Sequence, residues 1–214
     1  MTAGVAHELN NPMTGILQYV QYCIKYTDKE SKTYPVLNDI YQETKRCVDI
    51  VDNLLTYSRH EHTQQEQPPT NIHSIIDRVL RLLQYRIDKE NIQLTTDKTD
   101  SLPEICLHTS SMQQVFMNLI GNAIDAVQKV DPKHIHIQTS CIDRHISIDI
   151  KDNGCGIDKS IQQLIFDPFF TSKPAGKGTG LGLSISKRIV ENHHGKLLCH
   201  STSEGAIFKV ILPV

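Results

Sequence analysis

The stretch His145-Ile-Ser-Ile-Asp-Ile-Lys-Asp-Asn-Gly-Cys-Gly-Ile157 decides the reading of this chain. Its first half alternates apolar and polar residues with the two-residue period of a strand buried on one face. Its second half is a turn in which Asp152, Gly154 and Gly156 fall together. Glycine at such a turn lets backbone approach a flat ligand at dihedral angles closed to other residues, and a carboxylate beside it can accept a hydrogen bond from an exocyclic amine. A DNG turn is by itself common. Its weight comes from what flanks it.

Just upstream, His134-Ile-His-Ile alternates in the same way, so strands over 133–142 and 144–151 are expected to form an antiparallel pair. Further outward the pattern predicts a helix over 72–88, strands near 91–96 and 104–107, and a helix over 110–130. A glycine-rich irregular region runs to Gly178, followed by a helix to about His194 and strands over 196–200 and 206–212. This is an α/β sandwich with helices on one face of the sheet. Thr109 or Ser110 is the expected N-cap of the helix after His108.

The N-terminal third reads differently. Leu9, Met13, Ile16, Leu17, Val20 and Ile24 recur in steps of three and four, and after a polar break from Thr27 to Thr33 a second stripe runs through Leu37, Ile40, Tyr41, Val48, Val51, Leu54 and Leu55. Two amphipathic helices so spaced form an antiparallel hairpin, the second beginning near Pro35. A lone hairpin leaves half its seam in water, so a second copy is the expected cover, giving a dimeric four-helix bundle. Residues 61–70, rich in Gln and ending in Pro68-Pro69, read as a linker. The organisation is thus α+β: a hairpin over 1–60, the linker, and a sandwich domain over 71–214.

Composition excludes several classes. The chain has 214 residues, a formal net charge of −2 and 39% hydrophobic residues, so it can bury a core but has no basic footprint for nucleic acid. Its six cysteines form no CxxC pair and read as reduced thiols in a cytosolic core. No apolar run approaches the roughly 18 residues of a membrane span, so any membrane attachment belongs to an upstream segment. Because the motif-bearing segment begins almost at Met1, the chain is expected to be a piece of a longer protein.

His7 lies roughly 130° from the mean direction of the first apolar stripe, with Asn11 and Thr14 on the same outer side. Glu8 follows directly, and a carboxylate bonded to one imidazole nitrogen raises the nucleophilicity of the other. Pro12 removes one helical hydrogen bond just past the site. His7-Glu-Leu-Asn-Asn-Pro12 resembles the H-box of bacterial sensor histidine kinases, in the form found in nitrogen-regulation-type members. The resemblance implies that His7 is the phosphoacceptor and that Glu8 assists it. It also implies that Asn11 orients a water for dephosphorylating a partner response regulator.

Further motifs extend that resemblance in family order. Asn118-Leu-Ile-Gly-Asn122-Ala-Ile-Asp125 places two amides four residues apart on one helix face and resembles the N-box of the GHKL ATPases. There Asn122 would ligate Mg²⁺, with Asn118 and Asp125 beside the nucleotide. Gyrase-like members use a Glu at the position of Asn118 to activate water, so the amide favours transfer to a side chain over hydrolysis. Asp152-Asn-Gly154-Cys-Gly156-Ile157 resembles the G1 box, in which Asp152 recognises adenine. Phe166-Asp-Pro-Phe169-Phe-Thr-Ser-Lys173 resembles the F-box and its lid, Lys173 reaching phosphate. Gly176-Lys177-Gly178-Thr179-Gly180-Leu181-Gly182 opens into an apolar helical pattern, where backbone N–H groups and a positive helix end can hold an anion, and resembles the G2 box.

Together these imply an ATP- and Mg²⁺-dependent protein-histidine kinase that is homodimeric, hands its phosphoryl group to an Asp of a response regulator receiver domain, and also acts as a regulator phosphatase. Two alternatives stay open: a nucleotide-binding regulatory module, and a gyrase-like ATPase. The remaining histidines, among them His60, His62, His134, His136, His193 and His194, have no convergent third ligand and read as structural or solvated.

Overall fold

The structure, a computed structural model, describes the backbone of residues 2–59, 68–174 and 178–214, with side chains apart from 2–10, 46, 49, 50 and 52–59. The chain divides into two compact units, Met1–Gln65 with Phe169–Leu181, and Glu66–Pro168 with Gly182–Val214.

The first unit contains α1 (Thr2–Tyr26) and α2 (Thr33–Arg59), which pack on each other across a short turn. Thr27 Oγ1 bonds the Cys23 carbonyl at 2.7 Å where α1 stops, and Asp28 Oδ1 accepts the Glu30 N–H at 3.0 Å in the turn. Helix α2 begins at Thr33, two residues before Pro35; a proline in the first turn removes only an N–H that has no intrahelical partner anyway. Helix α1 runs through Pro12. Among its described residues the hairpin buries Val20 but leaves Ile16, Val36 and Ile40 42%, 53% and 43% exposed. Gln21 Nε2 donates to the Tyr41 hydroxyl at 3.1 Å and ties the two helices.

The second unit holds β1 (Pro69–Thr70), α3 (Ile72–Lys89), β2 (Gln93–Asp97), β3 (Ile105–Cys106), α4 (Thr109–Ala126), β4 (His134–Ile142), β5 (His145–Asp152), α5 (Gly182–Asn192), β6 (Lys196–Thr202) and β7 (Gly205–Pro213). Five strands form one mixed sheet in the order β2-β4-β5-β7-β6. Only β2 and β4 are parallel, and β4 and β5 form the expected antiparallel pair, with Ile137 opposite Ile150. The alternation resolves as anticipated: Ile135, Ile137, Ile146, Ile148, Ile150, Phe208, Val210 and Leu212 are all buried on one face. Against that face lie Ile75, Ile76 and Val79 of α3, Met112, Val115, Phe116 and Leu119 of α4, and Ile185 and Ile189 of α5.

Three boundaries differ from the sequence reading. Pro69-Thr70, expected in the linker, forms a two-residue strand paired with β3. Helix α4 stops at Ala126 and tightens into a 3₁₀ turn over Val127–Lys129, an ordinary way to satisfy a helix's last carbonyls. The N-cap of α4 is His108, not Thr109 or Ser110, and it makes no side-chain capping bond. Its backbone N–H instead donates to Nε2 of the buried His193 at 3.0 Å, while His193 Nδ1 bonds the Ile189 carbonyl at 2.7 Å. Because Nε2 accepts, the proton sits on Nδ1, and one neutral imidazole joins the start of α4 to the end of α5.

This layering predicts a sharp contrast in stability. Phe116→Ala, at a site with no solvent exposure, should cost about 3–5 kcal/mol in urea denaturation. Leu82→Ala, on the 58% exposed outer side of α3, should change stability by less than about 0.5 kcal/mol.

Candidate functional site

Strand β5 delivers Asp152 to the end of the sheet, 3% exposed. Its Oδ1 accepts two backbone N–H groups, from Gly154 at 2.9 Å and from Ala206 of β7 at 3.3 Å. Among the described residues no partner meets Oδ2. A buried carboxylate with one oxygen anchored and the other open is a hydrogen-bond acceptor held ready for a ligand donor. Burial pushes its carboxyl above the ordinary range, and the two backbone N–H groups pull it back in part. Neighbouring Cys199 has its thiol pushed up to about 11, by burial first and by the Asp152 charge second, so it stays protonated beside that carboxylate.

The loop after Asp152 is fixed by close approach. A Cβ on Gly154 would sit 2.6 Å from the Ala126 carbonyl group at the end of α4, so this turn packs directly on that helix. Gly156 has φ of +66°, and a Cβ there would lie 1.8 Å from the Thr202 carbonyl oxygen. Only glycine fits at both positions. Asn153, not singled out in the sequence reading, donates from Nδ2 to the Pro132 carbonyl at 2.7 Å and accepts the His134 N–H on Oδ1 at 2.8 Å. It ties the loop to the start of β4.

The four-residue spacing in α4 places Asn118 and Asn122 on one side of that helix, both half-buried. Asn118 Nδ2 donates to the Gly182 carbonyl at 3.2 Å and to Ser186 Oγ at 3.3 Å, while Ser186 Oγ donates to the same carbonyl at 2.8 Å. Asn118 therefore braces the first turn of α5. An amide so placed has no proton-accepting nitrogen and cannot serve as a general base toward water. Asp125 forms a 2.8 Å ion pair with Arg86 of α3, which turns that carboxylate toward the helix layer. Lys187 Nζ lies 5.3 Å from the centre of the Phe166 ring.

In the segment Phe169–Leu181, Phe169 has φ of +68°, a left-handed conformation uncommon for a bulky side chain, and is 61% exposed. Gly180 also has φ of +68°, and a Cβ there would come within 2.3 Å of the Phe169 carbonyl carbon, so the two ends of the segment close on each other. Thr179 Oγ1 accepts the Leu181 N–H at 3.3 Å, and a Cβ on Gly178 would meet Thr171 Oγ1 at 2.8 Å and the Lys173 side chain at 3.3 Å. Gly176 and Lys177 lie outside the described residues. So do the side chains of His7 and Glu8, although both positions fall within α1; Asn11, four residues after His7, is exposed on that helix.

The structure thus brings Asp152, Gly154, Gly156, Ile157, Asn118, Asn122 and Gly182 into one unit. Among the described residues no group of three or more metal-ligating side chains occurs; His134 Nε2 and His136 Nδ1 share the Thr95 hydroxyl, at 3.0 and 2.8 Å. A cation held through one amide oxygen and nucleotide phosphates needs no such cluster, and the half-buried Asn122 suits that mode.

Residues 108–214 match the family model described as histidine kinase-, DNA gyrase B- and HSP90-like ATPase, and residues 1–63 match the His kinase A (phospho-acceptor) domain. The whole chain is 36% identical to the signal transduction histidine-protein kinase AtoS of Escherichia coli (strain K12), covering 34% of that protein. It is 30% identical to the sensory histidine kinase/phosphatase NtrB of Rhizobium leguminosarum bv. phaseoli, covering 57% of it. Among solved structures, histidine kinase ThkA in complex with response regulator protein TrrA matches all of this chain over 60% of its own, with a TM-score of 0.70 and 28% identity. Full-length ShkA in complex with AMPPNP shares the fold, with a TM-score of 0.80 at 21% identity, covering 99% of this chain and 45% of that one. The chain spans about a third to a little over half of the two curated relatives named.

The raised carboxyl of Asp152 makes a pH prediction. Between the ordinary aspartate pKa, about 3.9, and the higher native value, the unfolded chain has released this proton while the native chain retains it. Stability from this group therefore falls as pH rises through that window. Urea denaturation of wild type and Asp152→Asn across it should give a difference that grows with pH in favour of the variant and levels off above the native value.

Proposed function

The chain belongs to the sensor histidine kinases, and on that premise we propose that it uses ATP to phosphorylate His7 and passes the phosphoryl group to an Asp of a response regulator receiver domain. The observation that carries the reading is the half-satisfied buried carboxylate of Asp152, fixed at the end of the central strand β5 in the same chain as a His-Glu-Leu-Asn-Asn-Pro helix.

Asp152 Oδ2 accepts the exocyclic amine of adenine, while Gly154 and Gly156 let the loop that carries this carboxylate pack against the end of α4 and the end of β6. Asn122 offers an amide oxygen to Mg²⁺, which when bound offsets the charge on the phosphates. Lys173 and the glycine segment 176–182 add positive charge and backbone N–H groups toward the same phosphates. The neutral imidazole of His7 is the acceptor: a P–N bond forms to the terminal phosphorus as the bridging P–O bond breaks and ADP departs. Glu8 holds the other ring nitrogen and the positive charge that develops there. Asn118, committed to bracing α5, has no basic atom to activate water, which favours transfer to histidine over hydrolysis.

The half-covered seam of the hairpin, with Ile16, Val36 and Ile40 exposed, supports a homodimer in which the second hairpin covers it. Among the described residues no helix is long and apolar enough to cross a membrane. The same reading includes a response regulator as partner, ATP with Mg²⁺ as the bound set, and a hairpin domain ahead of a nucleotide domain that takes in Pro69-Thr70.

A second activity is favoured by Asn11. Its amide is exposed on α1, one helical turn beyond His7, where it can orient a water toward a phosphoaspartate docked on that face. The relative from Rhizobium leguminosarum carries both activities in its name.

With γ-labelled ATP, the wild-type chain should acquire label that survives alkali and is released by acid, and His7→Gln should abolish it; label persisting in that variant would move the acceptor elsewhere. Asn11→Ala should keep autophosphorylation within about threefold while slowing dephosphorylation of a phosphorylated regulator by about tenfold or more. Equal loss of both activities would instead make Asn11 a structural residue of the helix.

A further inference from the structure

The far side of the Asp152–Ile157 loop is held by two side chains outside every recognised motif. Ser201, near the end of β6, accepts the Ile157 N–H on Oγ at 2.7 Å and lies 3.0 Å from the Gly205 carbonyl oxygen, to which it donates; the Thr202 carbonyl is a weaker alternative at 3.4 Å. Gln162 Nε2 donates to the Ile157 carbonyl at 3.0 Å and to the Ser201 carbonyl at 3.2 Å. Both polar backbone groups of Ile157 are therefore taken by side chains, one of them, Ser201, 44 residues away. The same β6–β7 turn presses on the loop twice more. A Cβ on Gly205 would lie 2.0 Å from the Asp152 carbonyl oxygen, and one on Gly156 would strike the Thr202 carbonyl oxygen. The turn also supplies the Ala206 N–H that anchors Asp152 Oδ1. One rigid turn thus fixes both ends of the loop, the carboxylate through Ala206 and Ile157 through Ser201.

We propose that Ser201 and Gln162 are positioning residues for adenine recognition, setting the seat of the loop against the Asp152 carboxylate and so governing nucleotide affinity and the choice of adenine over guanine. This rests on the nucleotide reading of the site. The chemistry of the choice is simple. Adenine presents an exocyclic amine that donates to Asp152 Oδ2, whereas guanine presents a carbonyl at the equivalent ring position, which repels a carboxylate. That discrimination needs the base seated within hydrogen-bond range of one fixed oxygen, since such bonds weaken steeply with distance and angle. If Ser201 lost its hydroxyl, the Ile157 N–H would be left without its acceptor and Gly156 would be free to shift off the Thr202 carbonyl. The ring would then meet the carboxylate in poorer register. Neither residue touches the reacting phosphate, so the rate of transfer at saturation should not depend on them.

The test is displacement of a fluorescent ATP analogue by ATP or GTP with Mg²⁺, on the full chain, alongside steady-state autophosphorylation. Ser201→Ala should weaken ATP by about tenfold, the consequence of leaving one half-buried donor unsatisfied and the loop unseated. The ATP-to-GTP preference should narrow by a similar factor, with maximal autophosphorylation rate within about twofold of wild type. Ser201→Thr, which keeps the hydroxyl, should restore both values to within about threefold. Gln162→Ala, which leaves Ser201 in place, should weaken ATP by about fivefold and serves as the deciding variant should Ser201→Ala not fold. A folded Ser201→Ala or Gln162→Ala chain with wild-type affinity and wild-type ATP-to-GTP preference would overturn the proposal alone. A wild-type chain that binds no adenine nucleotide would overturn the nucleotide reading and this proposal with it.

Discussion

Everything in the nucleotide unit is arranged around one buried carboxylate oxygen. Asp152 Oδ1 is held by the N–H groups of Gly154, in the loop after β5, and Ala206, at the start of β7. Those two bonds recover part of the cost of burying a charge, and the raised carboxyl records that the recovery is incomplete. A group kept in an unfavourable environment while one of its oxygens has no partner among the described residues is the pattern expected of a binding residue, where stability is traded for recognition. The surrounding packing follows from it. Gly154 must lie flat on the end of α4, and Gly205 must pass beneath the Asp152 carbonyl, or the carboxylate could not reach both donors.

The hairpin obeys a different constraint. Among its described residues, Ile16 and Ile40 of the apolar stripes are more than two-fifths exposed, and short helices draw most of their stability from packing such a face. On the proposed reading, Asn11 stands exposed on α1 while Ile16 and Ile40 offer the apolar surface that a second copy would cover. The sandwich, by contrast, closes its own core on Phe116, Leu119, Ile148 and Val210.

Much of this was legible in the chain itself. The two-residue alternation over 134–137 and 145–150 fixed the buried face of the central strands, because that period admits only one face once a core exists. Asn118 and Asn122 were legible through helical spacing, and Asp152 through its place between a strand and a glycine turn. What escaped was non-local. The His193 imidazole that joins α5 to the start of α4 bridges 85 residues, and no local preference at His108 announces it. The two-residue strand at Pro69-Thr70 exists only because Cys106 and Ile105 lie opposite. Asn118 read as a residue beside the phosphates, and its bonds to Gly182 and Ser186 were invisible without the fold. Ser201 and Gln162 sit in unremarkable polar sequence and acquire meaning only from where the β6–β7 turn meets the loop.

The most direct measurement is ATP affinity of Asp152→Asn set beside its apo thermal midpoint. The asparagine keeps an oxygen for the Gly154 and Ala206 N–H groups but replaces the outward acceptor with a donor that opposes the adenine amine. If Asp152 is the group that reads adenine, the variant will fold at least as stably as wild type and lose ATP binding by about a hundredfold or more. A well-folded variant that binds ATP as wild type does would contradict the assignment of this carboxylate as the centre of the site.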